Sequence, residues 1–523
     1  MNSTADDLAK SEKHVRVGLG RGPSDYATLR APWDPHENHP ELMSENRDGQ
    51  ASTRNRAFEA VRDALIGLGL DSGKVGTPQW NPIRSVVHEG GTVVLKPNFI
   101  RHWNPASKED PRSSVDSVIT HGSIVRAAAE YAFLAVGPEG RVIVAEAAQQ
   151  DCDFKKIREI TGLDAIQNHF LERHGFNLEV IDLRREQVRF KDGVIVEREP
   201  LPGDPLGYRA VDLGDKSFFT DSGLDPNLFR GADYDPGPTS EQHANGRNAY
   251  LLSESVLSAD LIINLPKLKT HKKTGVTLAL KNMVGINGDK NWLPHHSAGS
   301  VDQGGDEFPG RAFVDRIRSR LVEWSRPLLK AGRGIGLARL YRRVESSVRG
   351  DEFIRSGNWY GNRTTWRMCA DLNRCVYFSD DQGLDDEASH PKRPVLTILD
   401  GIVAGEGNGP LAPHDVPLGV VLASLDPIAL DLVAVRLMNF DPERIPKIRE
   451  CMRAPFLRVS EVRNQSDVEI GEPKGQERVC DVYALDAISS ERTFRAHPGW
   501  VGQIERNESP ASPRASISKE NSA

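Results

Sequence analysis

Residues 259–282 read ADLIINLPKLKTHKKTGVTLALKN, and the order of side-chain types along them decides the fold class. Ala259 to Leu265 is a short apolar run of strand length, the pattern of a buried strand. It empties into Lys267, Lys269, His271, Lys272 and Lys273. In an open α/β sheet the loop beyond a strand's carboxyl end is where ligands bind. Thr274, Thr277 and Lys281 then follow at roughly helical spacing, so a turn or two of helix would present two hydroxyls and an ammonium to one ligand.

The same alternation extends in both directions. Upstream, Arg56–Leu68 carries apolar positions at helical spacing, Thr92–Leu95 is a compact strand ending in Lys96-Pro97-Asn98, Thr120–Ser123 caps a helix, and Arg141–Glu146 is a strand closed by Glu146. Strand, helix and strand in this order imply a right-handed parallel crossover. Leu178–Leu183 reads as a further strand, and residues 184–250 as a partly β excursion. Downstream, strands are expected at 395–399 and 418–423, the first ending in Asp400 before the loop GEGNGP (405–410), the second leading to a helix capped by Asp426.

The expected fold is therefore α/β: parallel-sheet sandwich packing with helices on both faces, a basic helical insertion and disordered termini. The chain divides into an irregular arm (1–55), an α/β region with the Lys-rich loop (56–310), a basic amphipathic helical insertion (311–350), a C-terminal α/β portion of the same unit (351–490) and a disordered tail (491–523). Residues 311–349 hold 11 Arg or Lys against 3 acidic residues, with Phe313, Ile317, Leu321 and Trp324 among the apolar positions. Such a segment suits either a helical lid or peripheral contact with an anionic membrane.

Composition narrows the functional classes. A net charge of −7 over 523 residues excludes a generally nucleic-acid-binding surface, so cationic contacts must be local. The polar amino-terminal residues and the absence of any run of 18 apolar residues lead to an expected cytoplasmic location. The five cysteines, Cys152, Cys369, Cys375, Cys451 and Cys480, show no CxxC spacing, so no iron–sulfur cluster is expected.

Residues at or beyond strand ends form the candidate site. Glu146, His271 and Glu406 are the candidate catalytic groups. Lys96, Asn98, Lys267, Lys269, Thr274, Lys281, Asn282 and Asn408 are the candidate ligand-binding groups. Lys96, Asn98, Glu146, Lys267, Lys269, His271, Asn282 and Glu406 are expected to share one cleft. His295, His296, Asp306 and Glu307, joined by a Gly-rich loop, are candidate ligands for a divalent metal or an acid/base pair. Adjacent histidines on extended backbone point to opposite sides, so one of the two serves unless the loop turns between them.

Four blocks carry a family resemblance: VLKPNF (94–99), INLPKLKTHKKTGVTLALKNMVG (263–285), ILDGIVAGEGNGP (398–410) and LASLDPIALDLVAVRLM (422–438). In this order they resemble the domain-of-unknown-function 362 family, whose membership implies no established activity. Some members carry ferredoxin-like modules with CxxCxxC cysteines, which this chain lacks. HHSAGSVDQGGDEFP (295–309) and GNWYGNRTTWR (357–367) resemble a cluster-free subgroup associated with envelope polysaccharide loci.

Three functional classes follow. The leading one is an enzyme that binds an anionic small molecule, bearing phosphate or carboxylate, with a divalent metal as a candidate cofactor. The second is a non-catalytic ligand-binding or scaffold protein at a membrane. The third, a redox protein, is disfavoured because neither cluster cysteines nor a GxGxxG loop is present.

Overall fold

Eleven strands of one sheet, numbered here in chain order, organise the molecule: β1 (Val15–Arg21), β2 (Thr92–Pro97), β3 (Arg141–Glu146), β4 (Glu179–Asp182), β5 (Leu261–Leu265), β6 (Lys267–His271), β7 (Gly275–Val276), β8 (Val395–Asn408), β9 (Ala412–Ser424), β10 (Val468–Lys474) and β11 (Val479–Ala484). The structure, a computed structural model, describes residues 14–26, 29–45, 55–110, 113–191, 194–310, 313–330, 336, 355–380, 382–475, 478–490 and 492–506. Their spatial order is β11-β10-β1-β9-β8-β5-β2-β3-β4, with β6 on β8 and β7 on β6. Strands β8, β5, β2, β3 and β4 are mutually parallel neighbours.

Strand pleat divides the interior into two layers. Val93, Leu95, Val142 and Val144 face a core shared with helices α1 (Arg56–Leu68) and α2 (Gly122–Val136). The alternate residues Val94, Ile143 and Ala145 face a second core, built by α3 (Leu278–Asn282), α5 (Thr365–Phe378) and α6 (Pro427–Leu437), with α4 (Phe313–Lys330) between α3 and α5 in sequence. Both faces are thus covered, which is why these strands lack a polar side.

Four expectations are corrected. Within the supposed irregular arm, Val15–Arg21 is an interior strand between β9 and β10. Its glycines are what place it: a Cβ on Gly18 would lie 1.8 Å from the carbonyl oxygen of Ala64, and one on Gly20 1.9 Å from that of Ala60, so α1 can rest directly on this strand. The strand predicted at 418–423 belongs to β9 and runs antiparallel to β8. GEGNGP is not a loop throughout: β8 continues to Asn408 and turns back as a long hairpin. From the supposed tail, Trp500 and Ile504 are buried, with the Trp500 indole donating to the Lys272 carbonyl at 2.7 Å.

Elsewhere sequence and structure agree. Asp426 caps α6, accepting from the amides of Ile428 and Ala429 at 2.9 Å, and residues 184–250 contribute antiparallel two-stranded pairs off the main sheet, Glu186–Lys191 with Val194–Pro200 and Tyr208–Asp212 with Ala249–Ser253. Of the basic insertion, α4 is seen, while residues 331–335 and 337–350 lie outside the described residues.

Candidate functional site

Three strand ends meet above β2, β3 and β5, and an amide network locks them together. Asn98 Nδ2 donates to Asn282 Oδ1 at 2.9 Å, and Asn282 Nδ2 donates to Asn264 Oδ1 at 2.7 Å and to the Lys96 carbonyl at 3.1 Å. Lys269 Nζ donates to Asn98 Oδ1 at 3.2 Å and to the Val118 carbonyl. Every member is buried, so each hydrogen bond replaces one lost to water and fixes α3 against the strand ends. Lys96 Nζ pairs with Glu146 Oε2 at 2.5 Å in the same layer.

Above this floor lies a cavity of about 370 Å³, a volume suited to a small molecule. Its wall carries Lys272, Lys273, Lys281 and Lys290 together with His271, His295 and His296, whereas Glu146 is its one carboxylate among the described residues. Because Glu146 is already paired with Lys96, the cavity has a cationic surplus.

The ionisation of these groups reflects that imbalance. Burial, with Lys272 alongside, pushes Lys273 down to about 7. Burial brings Lys290 to about 7 against the opposing pull of Glu146, and Lys272 to about 8. Lys281 is also lowered by burial, and its Nζ has no hydrogen-bond partner among the described residues. His271 and His296 fall well below the ordinary histidine value, and His295 reaches about 3, each through burial first and neighbouring lysines second. Desolvation disfavours the charged form, and like charges add to the penalty.

Hydrogen-bond partners fix the tautomers of two rings. His271 Nδ1 accepts from the Lys273 amide at 3.0 Å, so the proton of the neutral ring sits on Nε2. His295 Nδ1 lies 2.9 Å from the Leu293 carbonyl, which can only accept, so its Nε2 carries the lone pair. One cavity thus holds an N–H donor and a basic nitrogen of opposite character. Thr277 also lines it, and the Thr277 Oγ1 is buried without a partner among the described residues.

Relatives of the chain share much of this region. Residues 194–436 match the model of a family described as a domain of unknown function, DUF362. A stretch of 218 residues is 25% identical to the thylakoid-associated protein sll1697 of Synechocystis sp., covering 42% of this chain and 43% of that protein. The chain therefore aligns with less than half the length of that curated relative. Two of the four blocks quoted above, 263–285 and 398–410, fall inside the DUF362 match and a third, 422–438, runs two residues past its end, while β2 and β3, with Lys96, Asn98 and Glu146, precede it. Among the described residues no helix is long and apolar enough to cross a membrane.

The chain distributes the predicted site residues over three places. Asn98, Glu146, His271, Lys281, Asn282, His295 and His296 line the cavity, with Lys96 and Lys269 directly behind it through Glu146 and Asn98. Lys267 does not join them. It pairs with Asp400 at 2.8 Å on the side of α2, where Asp400 also accepts from Tyr26 and from the His121 amide. Residues 267 and 269 share a face of β6 only where its pairing with β8 is regular, and the register shifts between them. Glu406 is a third departure: it pairs with Arg492 at 2.9 Å and does not line the cavity. Asn408 ends β8 without reaching the cavity wall, although the hairpin tip beyond it does through Pro410 and Leu411. Thr274 Oγ1 donates to the Val276 carbonyl instead of lining the cavity.

The carboxylates expected beside the histidines are engaged elsewhere. Asp306 accepts from the amides of Ser297, Arg363 and Thr364, at 2.7–2.9 Å, and Glu307 from the Gly299 amide and Ser319. Asp306 staples the 295–309 loop to the 357–367 block and Glu307 ties it to α4 through Ser319, and among the described residues neither completes a metal-ligand cluster with His295 and His296. Among the described residues, the group of metal-type ligand atoms within 4.8 Å of one another is Glu130, His169 and His174. There Arg126 bonds both Glu130 and His169, filling with a guanidinium the place a cation would take.

Lys272, Lys273 and Lys290 were not singled out as ligand groups by the sequence. The first two stood within the basic cluster, but alternation along β6 gave no reason to turn them toward the same space as Lys281. Lys290 lies in GDKNW (288–292) with no strand end to mark it. It reaches the wall because its Nζ donates to the Ala147 carbonyl at 2.8 Å, beyond the end of β3.

Proposed function

We propose that this cavity binds an anionic small molecule bearing phosphate or carboxylate groups, and that the protein is an enzyme acting on it. The observation that carries the reading is the convergence of four lysines and three histidines on one half-open cavity where the one lining carboxylate among the described residues is already paired. An anion entering there relieves the repulsion among the lysines and lets those that have lost protons regain them. His271 Nε2–H and His295 Nε2 serve as hydrogen-bond donor and acceptor toward the ligand. His295 is also the residue best prepared to hold a divalent metal, since a ring held at Nδ1 by a carbonyl presents Nε2 as ligand. The ligand's own oxygens would complete such a site.

The test is ligand-induced stabilisation of the full chain by sulfate, phosphate, pyrophosphate and citrate, with an uncharged sugar as control. The anions raise Tm in a saturable way, the sugar does not, and Lys281→Met removes most of the effect. Anion shifts that persist unchanged in Lys281→Met would overturn the cavity as the site. Saturable binding with no turnover of any phosphorylated or carboxylated compound would leave a ligand-binding protein instead of an enzyme.

A further inference from the structure

Helix α4 is mounted with its polar side inward. Ser319 donates to Glu307 at 2.8 Å, Glu323 accepts from Arg230 at 2.6 Å, Arg326 reaches the Asp233 carbonyl at 3.2 Å, and Lys330 pairs with Asp235. These residues share one face of the helix. The opposite face carries Phe313, Ile317, Leu321 and Trp324, spaced by four, four and three residues into one stripe. They are 74%, 42%, 48% and 63% exposed. A surface helix in a globular protein normally buries its apolar stripe and shows its polar face to water. Here ion pairs and hydrogen bonds hold the helix in the reverse orientation.

We propose that this stripe inserts into the headgroup region of an anionic membrane, making α4 an in-plane membrane anchor. Charge selects the occupant. The exposed Arg320 flanks the stripe, Arg316 on the same side is paired with Asp302, and residues 311–349 carry 11 basic against 3 acidic residues in a chain whose net charge is −7. A second copy of the chain docked isologously through the same face would bring two such cationic segments together, which is repulsive. An anionic lipid surface attracts the arginines while accepting the aromatic and aliphatic side chains, and Trp and Phe favour that interface. Gly231 and Ala232, between α4's partners Arg230 and Asp233, line the cavity wall, so the helix and the cavity share the 230–233 segment.

The experiment is sedimentation of the full chain with vesicles of phosphatidylcholine alone and of phosphatidylcholine mixed in equal parts with phosphatidylglycerol. The protein is expected to pellet with the mixed vesicles, to release at high salt and to ignore the neutral ones. Phe313→Ser combined with Trp324→Ser lowers binding by on the order of tenfold or more, and Arg320→Glu lowers it on anionic vesicles. Since these side chains are exposed, the variants keep the wild-type Tm. Lys281→Met retains vesicle binding, which separates the anchor from any headgroup captured in the cavity. Failure of the wild type to bind the mixed vesicles overturns the proposal, as does equal binding by the Phe313/Trp324 double variant. A concentration-dependent dimer that the double variant abolishes, without vesicle binding, assigns the stripe to a second copy and equally overturns it.

Discussion

Lys96 Nζ and Glu146 Oε2 lie 2.5 Å apart, with Gly285 pressed against both: a Cβ on this glycine would stand 2.0 Å from Glu146 Oε1 and 2.7 Å from Lys96 Nζ. Side-chain tips can usually swing away from such an intrusion. These cannot without loss, because Lys96 Nζ also donates to the Pro97 carbonyl at 2.6 Å and is fully buried. Gly285→Ala therefore either breaks a buried ion pair or displaces α3 from the cavity floor. We expect a loss of about 1–3 kcal/mol in urea unfolding, together with weakened anion binding. Gly73→Ala, where nothing lies within 4 Å, is the control and should leave both unchanged.

Lys273 and Lys290 give the cavity a pH signature. In the folded, ligand-free protein they lose their protons as pH rises through about 7, whereas in the unfolded chain they hold them to about 10.4. Between these limits the unfolded state binds more protons, so the stability of the ligand-free protein rises with pH across that window. Anion binding has the opposite dependence, because it requires the ammonium forms. Sulfate affinity should fall as pH rises above about 7, and calorimetry near pH 8 in buffers of different ionisation enthalpy should register proton uptake. An affinity independent of pH over this range would mean that these lysines do not contact the anion.

Lys281 separates binding from stability. Its charge is buried among other cations, lowered in pKa by desolvation, and has no hydrogen-bond partner among the described residues. Lys281→Met keeps the aliphatic stem and removes the desolvated charge. The ligand-free protein should gain stability, on the order of 1 kcal/mol or more. A charge-assisted hydrogen bond to the anion is lost, about 1.5–3 kcal/mol, or roughly tenfold to a hundredfold in affinity. Chemical denaturation and calorimetry on the same samples read both, and a variant destabilised without ligand would contradict the electrostatic account.

These cases show which parts of the molecule were legible in the chain. Strands β2, β3 and β5 announce themselves because burial on both faces leaves consecutive apolar residues, and their ends locate Asn98, Glu146 and Asn282 correctly. Strand β1 hides because Gly18 and Gly20 look like breakers, yet they are small so that α1 can touch the strand backbone. Lys267 and Lys269 could not be separated from the sequence: two residues apart on a strand they share a side, unless the register breaks, and it breaks between them. Asp306 and Glu307 look like ligands, but whether a carboxylate meets a metal or a row of backbone amides depends on loop closure across some 57 residues, from Asp306 to Arg363. Lys290 enters the site through a single carbonyl contact that no local pattern encodes.

The two faces of the sheet can be tested independently through Lys267 and Asp400, which are paired at 2.8 Å and fully buried on the side away from the cavity. The partners are not equivalent. Asp400 also accepts from the Tyr26 hydroxyl at 2.6 Å and from the His121 amide at 3.0 Å, whereas Lys267 Nζ has the ion pair with Asp400 and no hydrogen-bond partner among the described residues. Asp400→Asn therefore leaves a buried ammonium uncompensated, a loss of about 3–5 kcal/mol. Lys267→Met leaves a carboxylate that keeps two donors, so it should cost less. The order of the two is the test, since a generic packing defect would favour the isosteric Asp400→Asn over the change of lysine to methionine. Both variants, assayed where they remain folded, should bind sulfate like the wild type, because neither residue touches the cavity wall. If Lys267→Met instead lowers sulfate affinity as far as Lys281→Met does, the division of the lysines between the two faces is wrong, and Lys267 returns to the anion site.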